Sequence, residues 1–204
     1  MGRHESQSLF CEMQLALNPA FIAHFTPIAA QVFGRQQDAT FTVAQLQQQL
    51  GQVKAGFIRV DADEVTYPAH ILLRYELERD LIGGQITVAD IPELWDLKMQ
   101  QYLGLSTKGN DRDGCMQDIH WTDGSFGYFP SYTLGAMIAA QLAQALEREL
   151  GSITQIIQTG DLSPIWHWLA RNVWQHGSTM SSQTLLQNAT GESLNSEYFR
   201  RHLC

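Results

Sequence analysis

Residues 70–82 read HILLRYELERDLI, with Pro68 just ahead and Gly83-Gly84 just behind. Ile71, Leu72, Tyr75 and Ile82 fall at helical spacing, and the paired glycines, free of side chains, favour a helix end there. The stretch therefore predicts a helix.

Working outward, the same periodicity dominates the chain. Leu9, Phe10, Met13 and Leu17 recur three to four apart and predict a helix from residue 5 to the Asn18-Pro19 break. Further helices are expected over 20–33 and from Thr42 to Val53, the latter broken by Gly56. Downstream, Asp90 ahead of Ile91-Pro92-Glu93 reads as an N-cap with proline inside the first turn, opening a helix to about residue 103. A long helix is expected over 132–150 and another from Ser163-Pro164 through Val173, with Ser182 and Asn195 capping two short ones. Residues 106–114 form a polar loop, and TDGSFGYFP at 122–130 reads as an ordered loop carrying aromatic rings. The fold class is all-α, with at most a small β element pairing 57–63 with 85–88.

The 204 residues, 44% hydrophobic and 17% charged, suffice for one buried helical domain over 1–204. A net charge of −8 without a basic run argues against nucleic acid and anionic membranes as partners. No apolar run approaches the ~18 residues of a membrane span, and residues 1–10 are polar, so no signal peptide is expected. Cys11, Cys115 and Cys204 share no CxxC spacing, which suggests reduced thiols and a cytoplasmic address.

Polar residues suited to chemistry collect in a few places. His4-Glu5 could be half of HExxH, yet position 8 is Ser, and a glutamate at a helix N-terminus is also what the helix dipole favours. Arg59 is the single cation of an acidic extended segment; its planar fork suits a carboxylate, or else an internal pair with Asp61 or Asp63. GCMQDIHW at 114–121 sets Gln117, Asp118 and His120 beside Trp121, either as a working imidazole or as a buried one bonded to Asp118. Tyr128 and Tyr132 can direct two phenols the same way only if the loop is already helical between them. His24, His70, His167, His176 and His202 have no partner at metal spacing and read as structural or solvated.

Three of these segments occur in a telling order: HESQ at 4–7, IRVDAD at 58–63 and GCMQDIHW at 114–121. They resemble the HES(G)Q, I/V-R-x-x-A-D and G-x-x-Q-D-x-H-W elements of the carboxypeptidase Taq family of zinc metallocarboxypeptidases. EVTYPAHILLRYELERDLI, GSFGYFPSYTLG and NATGESLNSEYFRRHL look like that family too, so the resemblance covers the chain. It matches the C-terminal part of such a peptidase; the HPF, DxRxT and HExxH elements, which precede HESQ in the family, are absent from this sequence.

The resemblance implies roles. Glu5 becomes the metal ligand that completes a His-His-Glu zinc site. Arg59 lies on the substrate side of the cleft, suited to the terminal carboxylate of a peptide, with Arg74 in reserve. His120 hydrogen-bonds substrate near the metal, oriented by Gln117 and Asp118, and Tyr128 or Tyr132 supports the tetrahedral intermediate. The expected function is zinc-dependent hydrolysis of the C-terminal peptide bond. This chain alone, with one zinc ligand and no HExxH base, is expected to be inactive and to hold zinc weakly. A separate polypeptide supplying HExxH and a second copy in a homodimer are the implied partners. The alternative is a non-catalytic helical dimerisation or interaction module derived from such an enzyme.

Overall fold

The computed structural model describes residues 1–204 and contains helices and connecting loops, with no β-strand. The α-helices are α1 (Gly2–Leu9), α2 (Pro19–Val32), α3 (Val43–Leu50), α4 (Tyr67–Ile82), α5 (Ile91–Leu103), α6 (Pro130–Leu150), α7 (Ile153–Gln158), α8 (Ser163–Asn172), α9 (Ser182–Thr190) and α10 (Glu197–His202). No helix is long and apolar enough to cross a membrane. Residues 57–63 and 85–88 do not pair: each region is a loop leading into a single 3-10 turn, Arg59–Asp61 and Val88–Asp90.

The chain divides into two compact units. The first covers residues 52–133 with Met1, and its core is formed by Leu73 and Leu77 of α4, Ile91, Trp95 and Met99 of α5, and Cys115 of a later 3-10 turn. The predicted helix at 70–82 is there and Ile71 is buried, but the rest of the expected stripe faces outward. Leu72, Tyr75 and Ile82 are exposed, whereas His70, Arg74 and Glu78, spaced one turn apart, are buried. Apolar spacing misses this face because its charges are neutralised by one another and by a loop residue. Asp90, expected to cap α5, instead accepts from the Thr87 N–H at 2.8 Å and the Thr87 hydroxyl at 2.7 Å.

The second unit covers residues 2–51 and 134–204. Its main core gathers Phe10, Leu142, Leu146, Ile157, Ile165, Trp168, Leu169 and Leu186 among others. After α1 the backbone widens into a π-helical segment, Phe10–Ala16, and the Leu17 N–H bonds to the Glu12 carbonyl five residues back. The extra residue per turn shifts the buried stripe: Phe10, Met13 and Leu15 are buried and Leu17 is only half so. Ser181 rather than Ser182 caps α9, accepting from the Thr184 N–H at 3.1 Å, and Asn195 accepts from the Glu197 N–H at 3.0 Å.

Within this unit α1 and α6 approach closely at one point. A Cβ on Gly135 would stand 2.8 Å from the Glu5 Cβ and 3.1 Å from both the Glu5 carbonyl carbon and the Ser6 nitrogen. Two of those contacts are backbone and cannot rotate away, so the overlap lies toward the upper end of the ~1–3 kcal/mol typical of overpacking. Helix propensity returns only about 1 kcal/mol for Gly to Ala. Gly135→Ala is therefore expected to lower the urea unfolding midpoint; a midpoint at or above that of the native chain would refute the close packing.

Candidate active site

The first unit gathers most of the predicted site residues around one buried network. Asp118 Oδ2 accepts from Arg74 Nε at 2.5 Å, and Glu78 Oε2 accepts from Arg74 Nη1 at 2.6 Å. The Arg74 side chain is fully buried, and its guanidinium stacks 3.2 Å from the Trp121 ring centroid. Glu78 Oε1 in turn accepts the Gly127 N–H, which fixes the loop ahead of Tyr128. Arg74, the reserve candidate for a substrate carboxylate, is paired through Nε and Nη1 with two internal carboxylates, and its Nη2 is buried.

Asp118 hands the network on to His120. Its Oδ1 lies 2.7 Å from His120 Nδ1 and also accepts the His120 backbone N–H at 3.2 Å. A carboxylate can only accept, so Nδ1 carries the proton and Nε2 faces Tyr132, 3.0 Å from its hydroxyl oxygen. Phe129 packs edge-on to the imidazole with centroids 4.8 Å apart. α6 starts at Pro130, so Tyr132 is on its first turn while Tyr128 precedes it; their rings still meet, 5.3 Å apart at 63°. Tyr128 lies 5.7 Å from the His120 ring centroid, and it is Tyr132 whose hydroxyl meets the imidazole nitrogen.

Gln117 does not bond to His120, the residue that the family resemblance has it orient. Its amide oxygen accepts the Arg59 N–H at 2.8 Å, and its amide nitrogen donates to the carbonyls of Phe57 and Asp113, each at 2.8 Å. It clamps the backbone that carries Arg59. The Arg59 guanidinium donates to the Tyr67 hydroxyl at 2.9 Å and lies over the rings of Phe129, Tyr132 and Tyr67, at 5.1, 5.3 and 5.8 Å. The anticipated pairing with Asp61 or Asp63 does not form. Asp63 is taken by the Lys54, Val65 and Thr66 N–H groups and the Thr66 hydroxyl. Burial pushes its pKa up, but these donors more than offset that and hold it below the ordinary carboxylate value.

His70, read from the sequence as structural or solvated, sits one turn before Arg74 on α4 and is buried. Burial, and then the nearby charge of Arg59, lower its pKa from 6.5 to about 4, with Asp63 opposing. Only its i, i+4 spacing with Arg74 and Glu78 could have marked it. A base with a depressed folded pKa contributes stability that is complete above the unfolded value near 6.5. That contribution is lost as pH falls from there toward 4. The native chain is therefore expected to lose stability between pH 6.5 and 4.5 more steeply than His70→Leu; equal slopes in urea titrations at the two pH values would contradict this.

Glu5 belongs to the second unit. It lies in the first turn of α1, half-buried against Gly135, and its Oε2 is 3.4 Å from the Ser8 hydroxyl. No group of three His, Cys, Asp or Glu side chains converges anywhere in the chain in a way that would hold a metal ion. A catalytic zinc takes three protein ligands, and the donor set of this chain by itself does not fit one.

The profile of the Carboxypeptidase Taq (M32) metallopeptidase family matches residues 1–204. Carboxypeptidase 1 of Bacillus subtilis is 40% identical over 205 residues, a match covering all of this chain and 40% of that protein. Thermostable carboxypeptidase 1 of Thermus thermophilus is 38% identical, again over the whole chain and 39% of its own length. Among solved structures, Metallocarboxypeptidase 1 of Trypanosoma cruzi superposes with a TM-score of 0.93 at 48% identity, covering 99% of this chain and 42% of that one. The chain thus spans about two fifths of the length of the relatives it matches. With a profile match from end to end and a shared fold at this identity, the chain belongs to the carboxypeptidase Taq (M32) family of metallopeptidases.

Proposed function

We propose that this chain carries the substrate-binding and oxyanion-side residues of a zinc-dependent metallocarboxypeptidase and cleaves no peptide by itself. The observation that carries the reading is the Arg59 guanidinium: stacked among three rings, clamped through its backbone by Gln117, and without a carboxylate of its own. A bound peptide's terminal carboxylate would supply that missing anion in bidentate fashion. Tyr132, rather than Tyr128, is the oxyanion-side phenol in this reading, since its hydroxyl already shares a hydrogen bond with His120. The Arg74–Asp118–His120 chain then acts as positioning structure: it keeps the proton on Nδ1 and presents Nε2 to the phenol. Substrate would hydrogen-bond to this His120–Tyr132 pair.

Glu5 is the metal ligand in this reading on the strength of the HESQ match. A metal ion, when bound, would supply Lewis acidity and an activated water. One carboxylate is too few to hold it, and the sequence contains no HExxH to supply the remaining ligands and the base. The profile match without a break is the reason to treat 1–204 as parts of one domain, and three unpaired cysteines suit a reducing cytoplasm.

The test combines the purified chain with zinc and a polypeptide carrying an HExxH helix pair from the same family, and follows release of C-terminal residues from a peptide. Activity is expected only in the mixture. Release by the chain and zinc alone would overturn the reading. A mixture that forms a complex yet stays inactive would favour the second reading, a non-catalytic module that pairs with its own copy. One feature supports that alternative: Phe25, Ile28 and Val32, on one face of α2, are each at least half exposed.

A further inference from the structure

Tyr67 opens α4, and the residues ahead of it fix where that helix begins. Asp63 accepts from the Val65 N–H, the Thr66 N–H and the Thr66 hydroxyl, each at 2.9 Å, and its carbonyl accepts the Tyr67 N–H at 2.9 Å. A carboxylate that gathers the first free N–H groups pins a helix start. So placed, the Tyr67 hydroxyl accepts from Arg59 Nη1 at 2.9 Å, and the Tyr67 ring meets that of Tyr132 edge-on, 6.1 Å away at 86°. One side chain therefore touches both the guanidinium and the oxyanion-side phenol. Arg59 Nε and Nη2 have no hydrogen-bond partner within the protein, and neither is closed off from solvent. Tyr67 and Tyr132 are likewise only half-buried.

We infer that Tyr67 is the positioning residue of the Arg59 site: its phenol holds Nη1 so that the Nε–Nη2 edge is the one presented to a peptide's terminal carboxylate. This rests on the carboxylate-binding reading of Arg59 given above. Ring faces attract a guanidinium without fixing its angle in its own plane. The Gln117 clamp fixes only the backbone end of the side chain. A hydrogen bond to one Nη supplies the missing constraint. With Nη1 engaged, Nε and Nη2 remain as two parallel donors, the match for two oxygens on one carbon. Holding them in place beforehand removes an ordering cost that binding would otherwise bear. Because the same ring packs on Tyr132, the spacing between the carboxylate anchor and the oxyanion-side phenol is referred to one residue of α4.

The test is an NMR titration of the 15N-labelled full chain with N-acetyl-leucine and with N-acetyl-leucinamide, following the Arg59 Nε–H signal. It compares the native chain, Tyr67→Phe, Arg59→Lys and the double variant. Tyr67→Phe keeps the ring and its contact with Tyr132, and a melting curve checks that it folds as the native chain does. It is expected to bind the carboxylate about fivefold more weakly, the scale of one lost hydrogen bond, with amide binding unchanged. Arg59→Lys should lose at least about tenfold, the bidentate contact being gone. In the Arg59→Lys background, where no Nη1 exists to hold, Tyr67→Phe should add nothing further. A folded Tyr67→Phe that binds N-acetyl-leucine as the native chain does overturns the inference, while a loss in Arg59→Lys alone leaves the Arg59 reading standing. An equal loss from Tyr67→Phe in both backgrounds also overturns it, since the phenol would then act without the guanidinium. A native chain that shows no preference for the carboxylate over the amide, with a still Arg59 signal, overturns both.

Discussion

Asp118→Ala is expected to cost about 3–5 kcal/mol of folding stability, the range for stripping one partner from a buried ion pair. Its two oxygens serve three donors, Arg74 Nε, His120 Nδ1 and the His120 N–H, and its own side chain is 2% exposed. Without it the fully buried Arg74 keeps only Glu78, and His120 loses the group that settles its tautomer. A control pair lies in the same unit: Lys98 and Glu76 are also 2.5 Å apart, but each is about one fifth exposed. Water screens that pair, so Glu76→Ala should cost roughly 1 kcal/mol or less for the ion pair itself. Denaturant melts of the two variants give the comparison directly. Near-equal losses would mean that burial does not set the value of the Asp118 pair.

That contrast also marks where sequence reasoning succeeded. Helix positions were legible because α4 and α5 combine periodic apolar residues with proline at the start and glycine at the end. The three motif segments were legible because residue order alone identifies them. Which face of α4 turns inward was not legible: nothing local announces that His70, Arg74 and Glu78 are buried, since Asp118, which neutralises Arg74, lies 44 residues away. The role of Gln117 was hidden for the same reason. Its amide reads as a neighbour of His120 in sequence, yet it is consumed by the backbone of a segment 58 residues upstream. The register after Phe10 was missed because a π-helical turn shifts the buried positions without any residue type that marks it.

In the complemented mixture, Arg59→Gln is expected to lower kcat/KM for peptide release about 100-fold, which is about 2.7 kcal/mol at 1.36 kcal/mol per decade. A bidentate charge-assisted contact replaced by a neutral amide accounts for a loss of that size, at about 1.5–3 kcal/mol for hydrogen bonds to a charged group. Most of it should fall on KM, because the terminal carboxylate is bound alike in ground and transition states. Arg59→Lys should recover only a small part. An ammonium keeps the charge, but it cannot lie flat among Phe129, Tyr132 and Tyr67 or present two parallel N–H groups. Tyr132→Phe gives the complementary pattern: a group acting on developing charge should lower kcat with KM little changed. If Arg59→Gln instead lowered kcat alone and left KM intact, the guanidinium would be acting on the reacting atoms, and its assignment to the peptide's end would be wrong.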